Sequence, residues 1–230
     1  MKIVISSFDN DIVLSDEYTQ VLEISDKTLF SKISQSFYSL CAGEEAQESI
    51  LLFDKDNIKD FSKYSLFLAS PLLLDIDCKS IQTKLHDIIH SFVIQDPERS
   101  IEINRAYNEL LSNFISFTYD LDLPIDWSSA PDWYKILKCM NPKIDVEKCD
   151  SVFERLLLYL EVISNLNLTS FLILCNFKNF FTNDQLVALY KTSRYYSIPL
   201  LLIESNHADN ILDGERKIWV DDDFVELLCE

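Results

Sequence analysis

The length, composition and charge of the chain restrict its fold class and its chemistry. Its 230 residues are 48% hydrophobic and carry a formal net charge of -18. A chain of this kind is expected to build one sizeable core with a smaller appended lobe. The charge taken alone argues against a polyanionic partner, because nucleic-acid binders usually present a basic face. With only two glycines, Gly43 and Gly214, the sequence excludes the glycine-rich loops that hold phosphate and the G-x-S-x-G elbow of hydrolases.

The sequence also predicts a cytoplasmic protein that does not cross a membrane. It contains no apolar stretch that approaches the ~20 residues needed to span a bilayer. The first residues lack the apolar segment and the cleavage site of a secretory leader. The six cysteines include no Cys-x-x-Cys pair, which favours free thiols in a reducing compartment.

Strands and helices alternate in the first third of the chain. MKIVISS and YTQVLEIS are predicted strands, and Asp26 can cap a helix that runs through Leu40 and ends at Gly43. SILLFDKD and KYSLFLAS are two further predicted strands. This alternation favours an α/β domain with a mixed or parallel sheet.

The C-terminal part predicts a strand, a crossover helix and a second strand. The apolar runs from Phe171 to Cys175 and from Ile198 to Ile203 do not alternate, which is typical of strands covered on both faces. Thr182 and Gln185 form a capping box at the start of the intervening helix. The two strands should be parallel, and the rest of the chain is expected to supply further strands to their sheet and to cover its faces. The tail after Gly214 predicts one more short strand.

From Cys78 the pattern becomes helical. The segments KSIQTKLHDIIHSFVIQ and RSIEINRAYNELLSNFISFTYDL flank the Asp96-Pro97 break and predict an αα-hairpin. An acidic segment punctuated by prolines follows. We therefore predict an α/β head of residues 1–77 and 140–230, with a helical leg of residues 78–139.

One predicted helix carries the sequence His86-Asp87-x-x-His90. It differs by one residue from H-E-x-x-H, in which two histidines hold zinc and the carboxylate activates water. The spacing places both imidazoles on one helical face. However, aspartate is shorter than glutamate and no third ligand is evident, so a polar helix face is the preferred interpretation.

Asp120, Asp122 and Asp126 place three carboxylates in an irregular segment. Calcium takes roughly six to eight oxygen ligands from carboxylates and backbone carbonyls. Although these residues have the spacing of EF-hand positions, Ile125 replaces the required glycine and Pro131 the bidentate glutamate. The segment is therefore not an EF-hand, and both a divalent-cation site and a solvated acidic loop remain open.

Basic residues are interleaved with aromatic ones after the acidic segment, and two arginines lie on the second helix of the hairpin. Such a pattern can follow a phosphate backbone, although neighbouring acids make a mixed-charge surface equally plausible. The candidate DNA-binding residues are Lys135, Lys138, Lys143, Lys148, Arg99 and Arg105.

Several segments in the same order resemble a known family. They are LFLASPLLLDIDCKSIQTKL with the hairpin that follows it, the acidic TYDLDLPID, and the long run from SVFERLLLYLEV to IPLLLIES. Together they resemble the Csn-two proteins of type II-A CRISPR loci, which take part in spacer acquisition. The similarity extends over nearly the whole chain and depends on order and pattern, not on catalytic residues.

The resemblance implies a fold and an assembly. It implies a sheet-based head similar to a P-loop NTPase that has lost its phosphate loop, with a helical leg. It also implies a ring-shaped homotetramer that binds calcium and threads a double-stranded DNA end without cutting it. The calcium-associated segment falls on Asp120, Asp122 and Asp126, with Pro124 where the family has a further acidic residue.

Three functions follow from these patterns. The first is a non-catalytic DNA-end-binding ring whose partners are duplex DNA, the CRISPR integrase and the guide-RNA nuclease. The second is a metal-dependent hydrolase that uses His86, Asp87 and His90. The third is an interaction module on a degenerate NTPase fold that does not bind DNA.

Overall fold

The computed structural model of the protein describes residues 1–229, which form two compact units. The first, called here the α/β unit, contains Met1–Ile76 and the chain from Val146 onward. The second, called the helical unit, is Asp77–Asp145. Among the described residues, no helix combines the length and the apolar character that crossing a membrane requires.

The strands all lie in the α/β unit as far as the structure describes the chain, and the helices are divided between the two units. The strands are β1 (Lys2–Ile5), β2 (Ile12–Val13), β3 (Thr19–Ile24), β4 (Ile50–Asp54), β5 (Asn57–Lys59), β6 (Ser65–Leu68), β7 (Phe171–Cys175), β8 (Leu200–Glu204), β9 (Glu215–Val220) and β10 (Glu226–Cys229). The helices are α1 (Lys27–Ala42), α2 (Phe61–Tyr64), α3 (Lys79–Gln95), α4 (Pro97–Ser116), α5 (Trp133–Met140), α6 (Val152–Asn165) and α7 (Asn183–Tyr195). Short 3-10 turns occupy Pro71–Leu73 and Phe177–Asn179.

The main sheet has six strands in the order β10-β9-β3-β8-β7-β6. Each neighbouring pair is parallel except β9 and β10. The predicted βαβ unit is confirmed, because β7 and β8 pair in parallel with Leu172 opposite Leu200. The predicted fold class, an α/β protein with a mostly parallel sheet, is therefore confirmed.

The rest of the chain supplies further strands to this sheet, as predicted, but four strands lie outside it. Strands β1, β2, β4 and β5 form a separate antiparallel sheet in the order β2-β1-β4-β5. In β4 the buried Ile50 and Leu52 alternate with the exposed Leu51. This alternation is typical of an antiparallel sheet with one face on the core, whereas strands of a parallel sheet are covered on both faces.

The C-terminal tail forms two strands instead of the single strand predicted. Strands β9 and β10 make a hairpin whose turn is organised by Asp221. Its carboxylate accepts hydrogen bonds from the backbone N–H groups of Asp223 at 2.9 Å and Val225 at 2.8 Å. Aspartate commonly stabilises a turn in this way, so the acidic run is a connection between strands.

The two sheets share one apolar core with α1. The rings of Phe37 and Phe171 both meet Phe61 edge-to-face, with centroids 5.8 Å and 6.3 Å apart. The predicted caps of α1 are confirmed. Asp26 accepts from the N–H of Leu29 at 2.7 Å, and Gly43 ends the helix with φ of +79°, in the left-handed region where glycine is favoured.

The helical unit begins with the predicted αα-hairpin, which is confirmed. Asp96 ends α3 and caps α4 by accepting from the N–H of Arg99 at 3.1 Å, and Pro97 occupies the first turn of α4. Proline suits this position because the first N–H groups of a helix have no intrahelical partner.

The capping box at the start of α7 is confirmed and is expected to stabilise the βαβ unit. Thr182 Oγ1 accepts from the N–H of Gln185 at 3.3 Å, and Gln185 Oε1 accepts from the N–H of Thr182 at 3.0 Å. We expect Thr182→Ala to lower the free energy of unfolding by about 1 kcal/mol, measured by urea denaturation. Thr182→Ser keeps the acceptor and should show less than half of that loss, so equal losses in the two variants would contradict this account.

Candidate functional site

Four charged side chains are buried together on one face of the main sheet, and a fifth, that of Lys178, is partly buried beside them. We call Glu23, Lys178, Glu204, Glu215 and Lys217 the buried ion cluster. Glu23, Glu204 and Lys217 have residue exposures of 0%, 2% and 2%. Charged groups are rarely buried to this degree unless they are paired, so the contacts of the cluster determine what it can do.

Glu23, on the central strand β3, is the hub of the cluster. Its carboxylate lies 3.3 Å from Lys178 Nζ and 3.1 Å from Lys217 Nζ. It also lies 2.9 Å from Nδ1 of His207 and accepts from the N–H of Ala208 at 3.1 Å. Glu23 therefore connects β3 with β9, the turn after β7 and the loop after β8.

Glu215 extends the network along β9. Its carboxylate lies 2.9 Å from Lys178 Nζ and accepts from the hydroxyl of Tyr190 at 2.6 Å and from the N–H of Leu212 at 3.1 Å. Burial, and then the negative charge of Glu215, raise the pKa of Tyr190 far above its ordinary value. The Tyr190 hydroxyl is therefore a permanent hydrogen-bond donor.

Glu204, the last residue of β8, differs from the other carboxylates. It accepts from the backbone N–H of Lys178 at 3.1 Å, and it forms no ion pair with any residue in the part of the chain that the structure describes. Burial raises the pKa of its carboxyl to about 7, partly opposed by this hydrogen bond and by the charge of Lys178. Glu204 can therefore gain or lose a proton near neutral pH.

The sequence analysis did not identify the buried ion cluster. The sequence did contain an indication of it. Glu23 and Glu204 are charged residues within otherwise apolar strand segments, VLEIS and LLLIES. A charge inside a buried strand requires a partner. However, its partners come from segments distant in the chain, and sequence spacing could not identify them.

The pairing of Glu23 with Lys217 can be tested by a double-mutant cycle. We expect Glu23→Leu to lower the free energy of unfolding by about 3–5 kcal/mol, because it leaves the Lys217 ammonium buried without its carboxylate. Glu23→Leu combined with Lys217→Met should recover most of that loss. Urea denaturation of the single and double variants measures the coupling, and strictly additive losses would contradict it.

The side chains of His86, Asp87 and His90 make different contacts and do not converge on one site. His86 is 8% exposed, and its Nε2 has no hydrogen-bond partner among the described residues. Asp87 accepts from the hydroxyl of Tyr134 at 2.5 Å, and the ring of His90 lies 5.2 Å from that of Tyr134. In residues 1–229, no group of three or more His, Cys, Asp or Glu side chains is arranged to hold a metal ion.

His86 is thus expected to reduce stability. An unsatisfied buried polar atom costs free energy, and replacing it by an apolar group removes that cost. We expect His86→Leu to raise the free energy of unfolding by about 1 kcal/mol and His90→Leu, which loses contact with Tyr134, to give no gain. Thermal unfolding of both variants tests this, and a destabilised His86→Leu protein would show that the ring has a functional partner.

The three candidate calcium ligands lie on the surface of the helical unit. Asp120, Asp122 and Asp126 are all exposed and follow α4 in an irregular segment. They do not form a coordinating group of three in the described part of the chain. The described residues of a single copy therefore do not bring these three carboxylates together.

The candidate DNA-binding residues divide into paired and unpaired groups. Arg99, Lys135 and Lys143 lie 3.2, 3.0 and 3.2 Å from the carboxylates of Asp96, Asp132 and Asp77 respectively. All three pairs are well exposed, and exposed pairs contribute little stability. A phosphate group can therefore compete for these cations.

Two other candidates carry no such partner. Arg105 on α4 and Lys138 in the last turn of α5 are exposed, and neither is in an ion pair with any described residue. Lys148 is also exposed but belongs to the α/β unit, unlike the other five candidates. Among the six candidates, Arg105 and Lys138 are thus the helical-unit cations without an ion pair to a described residue.

A comparison with known protein families identifies the group to which this architecture belongs. A family model described as CRISPR-associated protein (Cas_Csn2) matches residues 44–224. The chain belongs to the Csn2 family. The match includes the helical unit and most of the main sheet, and the predicted resemblance is confirmed.

A curated Csn2 relative supports the same assignment. The CRISPR-associated protein Csn2 of Streptococcus agalactiae is 23% identical over 235 residues, which cover 95% of this chain and 100% of the relative. The similarity is thus continuous through both units. A Csn2 protein is CRISPR-associated, so the role of this chain lies in CRISPR defence.

Proposed function

We propose that this protein binds double-stranded DNA, preferably at its ends, and acts in CRISPR spacer acquisition without catalysing a reaction. The observation that carries the proposal is the family match over residues 44–224. The exposed cations of the helical unit support it, because phosphate contacts of Lys and Arg provide most sequence-independent affinity for DNA.

The connection between β3 and α1 supports a non-catalytic role. Only Ser25 and Asp26 separate the end of β3 from the start of α1. A phosphate loop at this place would need several glycines whose N–H groups face the phosphates. Instead, Asp26 occupies the N–H of Leu29 and places a carboxylate where a helix N-terminus would attract an anion. We propose that the fold is an NTPase-like sheet without nucleotide chemistry.

The assembly and the partners remain part of the proposal. We propose a ring-shaped homotetramer in the cytoplasm that serves the CRISPR integrase and the guide-RNA nuclease. A ring allows a protein with a net charge of -18 to hold DNA, because cations can line the bore while the acidic groups face outward. At physiological salt, exposed charges more than about 8 Å apart are largely screened.

We propose that calcium binds the protein and stabilises the ring, and this proposal comes from the family resemblance alone. Because the described residues of one chain do not gather three carboxylates, no step of DNA binding is assigned to the ion. Light scattering coupled to size exclusion, with calcium or with a chelator, measures whether the oligomer depends on it. An oligomer that persists in chelator would contradict the calcium proposal and leave the DNA proposal intact.

The DNA proposal predicts strong salt dependence. Binding of a linear duplex, measured by fluorescence anisotropy, should weaken steeply between about 50 and 200 mM salt, with a log–log slope of about -0.9 per phosphate contact. Arg105→Ala and Lys138→Ala should each weaken binding and make the slope shallower by about 1. Lys63→Ala, which removes an exposed lysine of the α/β unit, is the matched control and should change neither quantity.

A covalently closed duplex tests the preference for ends. The proposal expects linear DNA to bind and a closed circle of the same sequence not to be retained. Equal binding of the two forms would contradict threading, and affinity that is independent of salt would contradict phosphate contact. The interaction-module alternative would then be favoured over DNA binding.

The hydrolase alternative has a separate test. It requires stoichiometric zinc that is lost on His86→Ala. The DNA proposal instead expects His86→Ala to bind duplex like the unaltered protein, since His86 is buried and cannot contact phosphate.

A further inference from the structure

A cleft of about 190 Å³ opens beside the buried ion cluster. It lies where β7 and β8 end, and residues after both strands and from the start of α7 line it. In parallel α/β sheets, ligands commonly bind beyond the carboxyl ends of the strands. The proposed DNA-binding function does not use this cleft.

Glu204 gives the cleft its charge. Its residue exposure is 2%, yet it lines the cleft. The cluster contains three carboxylates and only two lysines. Both lysines form their ion pairs with carboxylates other than Glu204. Lys178 pairs with Glu23 and Glu215, and Lys217 pairs with Glu23. Glu204 is therefore the carboxylate of the cluster that forms no ion pair with a described residue, although the charge of Lys178 acts on it.

Besides Glu204, Lys178 and His207, the polar side chains that line the cleft are neutral amides. Asn179, Asn183 and Asn206 line the cleft, and Asn206 donates to the side-chain oxygen of Asn179 at 3.3 Å. Amide oxygens accept hydrogen bonds from N–H donors and carry no charge to repel them. One carboxylate without an ion pair, beside several amides, suits a ligand with several N–H donors and a single positive charge.

An anion does not fit the same cleft. Lys178 is already shared between two carboxylates, and the side chain of Lys217 is 1% exposed. A phosphate would face Glu204 without a free ammonium group. A hard metal ion does not fit either, since it requires more oxygen ligands than one carboxylate and a few amides provide, and no metal-holding group occurs among residues 1–229.

We propose that this cleft binds a small organic cation through a primary ammonium or guanidinium group, with Glu204 as its counter-ion and Asn179, Asn183 and Asn206 as hydrogen-bonding partners. The volume is sufficient, since an engineered cavity of about 150 Å³ holds benzene. The proposal does not depend on DNA binding.

The charged groups around Glu204 determine the pH dependence. Glu23 lies on β3 and Glu215 on β9. His207 lies in the loop after β8, and Lys178 follows β7. Glu204, with a pKa of about 7, binds a cation only when it is ionised, so affinity rises with pH. A bound cation also displaces a proton from Glu204 in the molecules that carry one.

Four probes of similar size separate charge from shape. They are n-butylamine, n-butylguanidine, 1-butanol and butyrate. Titration calorimetry in two buffers of different ionisation enthalpy measures affinity and proton release. Fluorescence of Trp219, whose ring stacks on His207 at 3.7 Å, reports occupancy. We expect saturable binding of the two cations only, about tenfold stronger at pH 8 than at pH 6 because ionisation of Glu204 controls it.

Glu204→Gln keeps the shape of the side chain and removes its charge. It should weaken binding of both cations at least tenfold and abolish the proton release. Glu45→Gln removes an exposed charge of the same kind and should bind like the unaltered protein. If Glu204→Gln does not fold, Asn183→Leu on the exposed start of α7 tests the same cleft and should reduce binding.

Several results would overturn the proposal. Equal binding of 1-butanol would show an apolar cleft, and preferential binding of butyrate would show an anion site. Retained binding in Glu204→Gln, or no saturable binding of either cation at pH 8, would also refute it. DNA binding by Glu204→Gln should be normal, so failure of this proposal and failure of the DNA proposal give different results.

Discussion

The burial of Glu23 in the central strand is the constraint on which much of the α/β unit depends. A carboxylate with 0% exposure is tolerated only when cations and N–H donors surround it. Lys217, Lys178, His207 and the N–H of Ala208 meet that need from separate segments. Strand β9, the turn after β7 and the loop after β8 must therefore be in place together for the sheet to be stable.

The same constraint determines the path of the loop between β8 and β9. Lys217 donates to the carbonyl oxygens of Ala208 at 2.5 Å and Asn210 at 3.3 Å, and Glu215 accepts from the N–H of Leu212. Polar contacts thus hold the loop over the cluster, and one side of the cleft is formed as a consequence. The cluster therefore stabilises the sheet and also lines the cleft with polar groups. Apolar packing alone would only stabilise the sheet.

Local features of the fold could be predicted from the sequence, and non-local ones could not. The caps at Asp26 and Thr182 follow from side-chain chemistry within three residues, and the run from Phe171 to Cys175 identifies its strand by composition. Which sheet a strand joins depends on pairing across the chain, so the separate sheet of β1 was not predicted. The cluster around Glu23 was missed for the same reason. The His86 and His90 spacing was recognised, but helical spacing alone could not show that Tyr134 contacts Asp87 and His90.

The proposed DNA binding relies on exposed cations of the helical unit, whereas several cations of the main sheet already have partners within the chain. In the α/β unit, Lys178 and Lys217 are committed to buried carboxylates, and Arg216 stacks on Tyr18 at 4.1 Å. Arg105 and Lys138 in the helical unit form no ion pair with a described residue. Because the whole chain is strongly acidic, long-range attraction cannot guide DNA to the protein. Under the DNA proposal, affinity must come instead from close contacts made after encounter, and the proposed ring would retain the duplex while those few contacts act together.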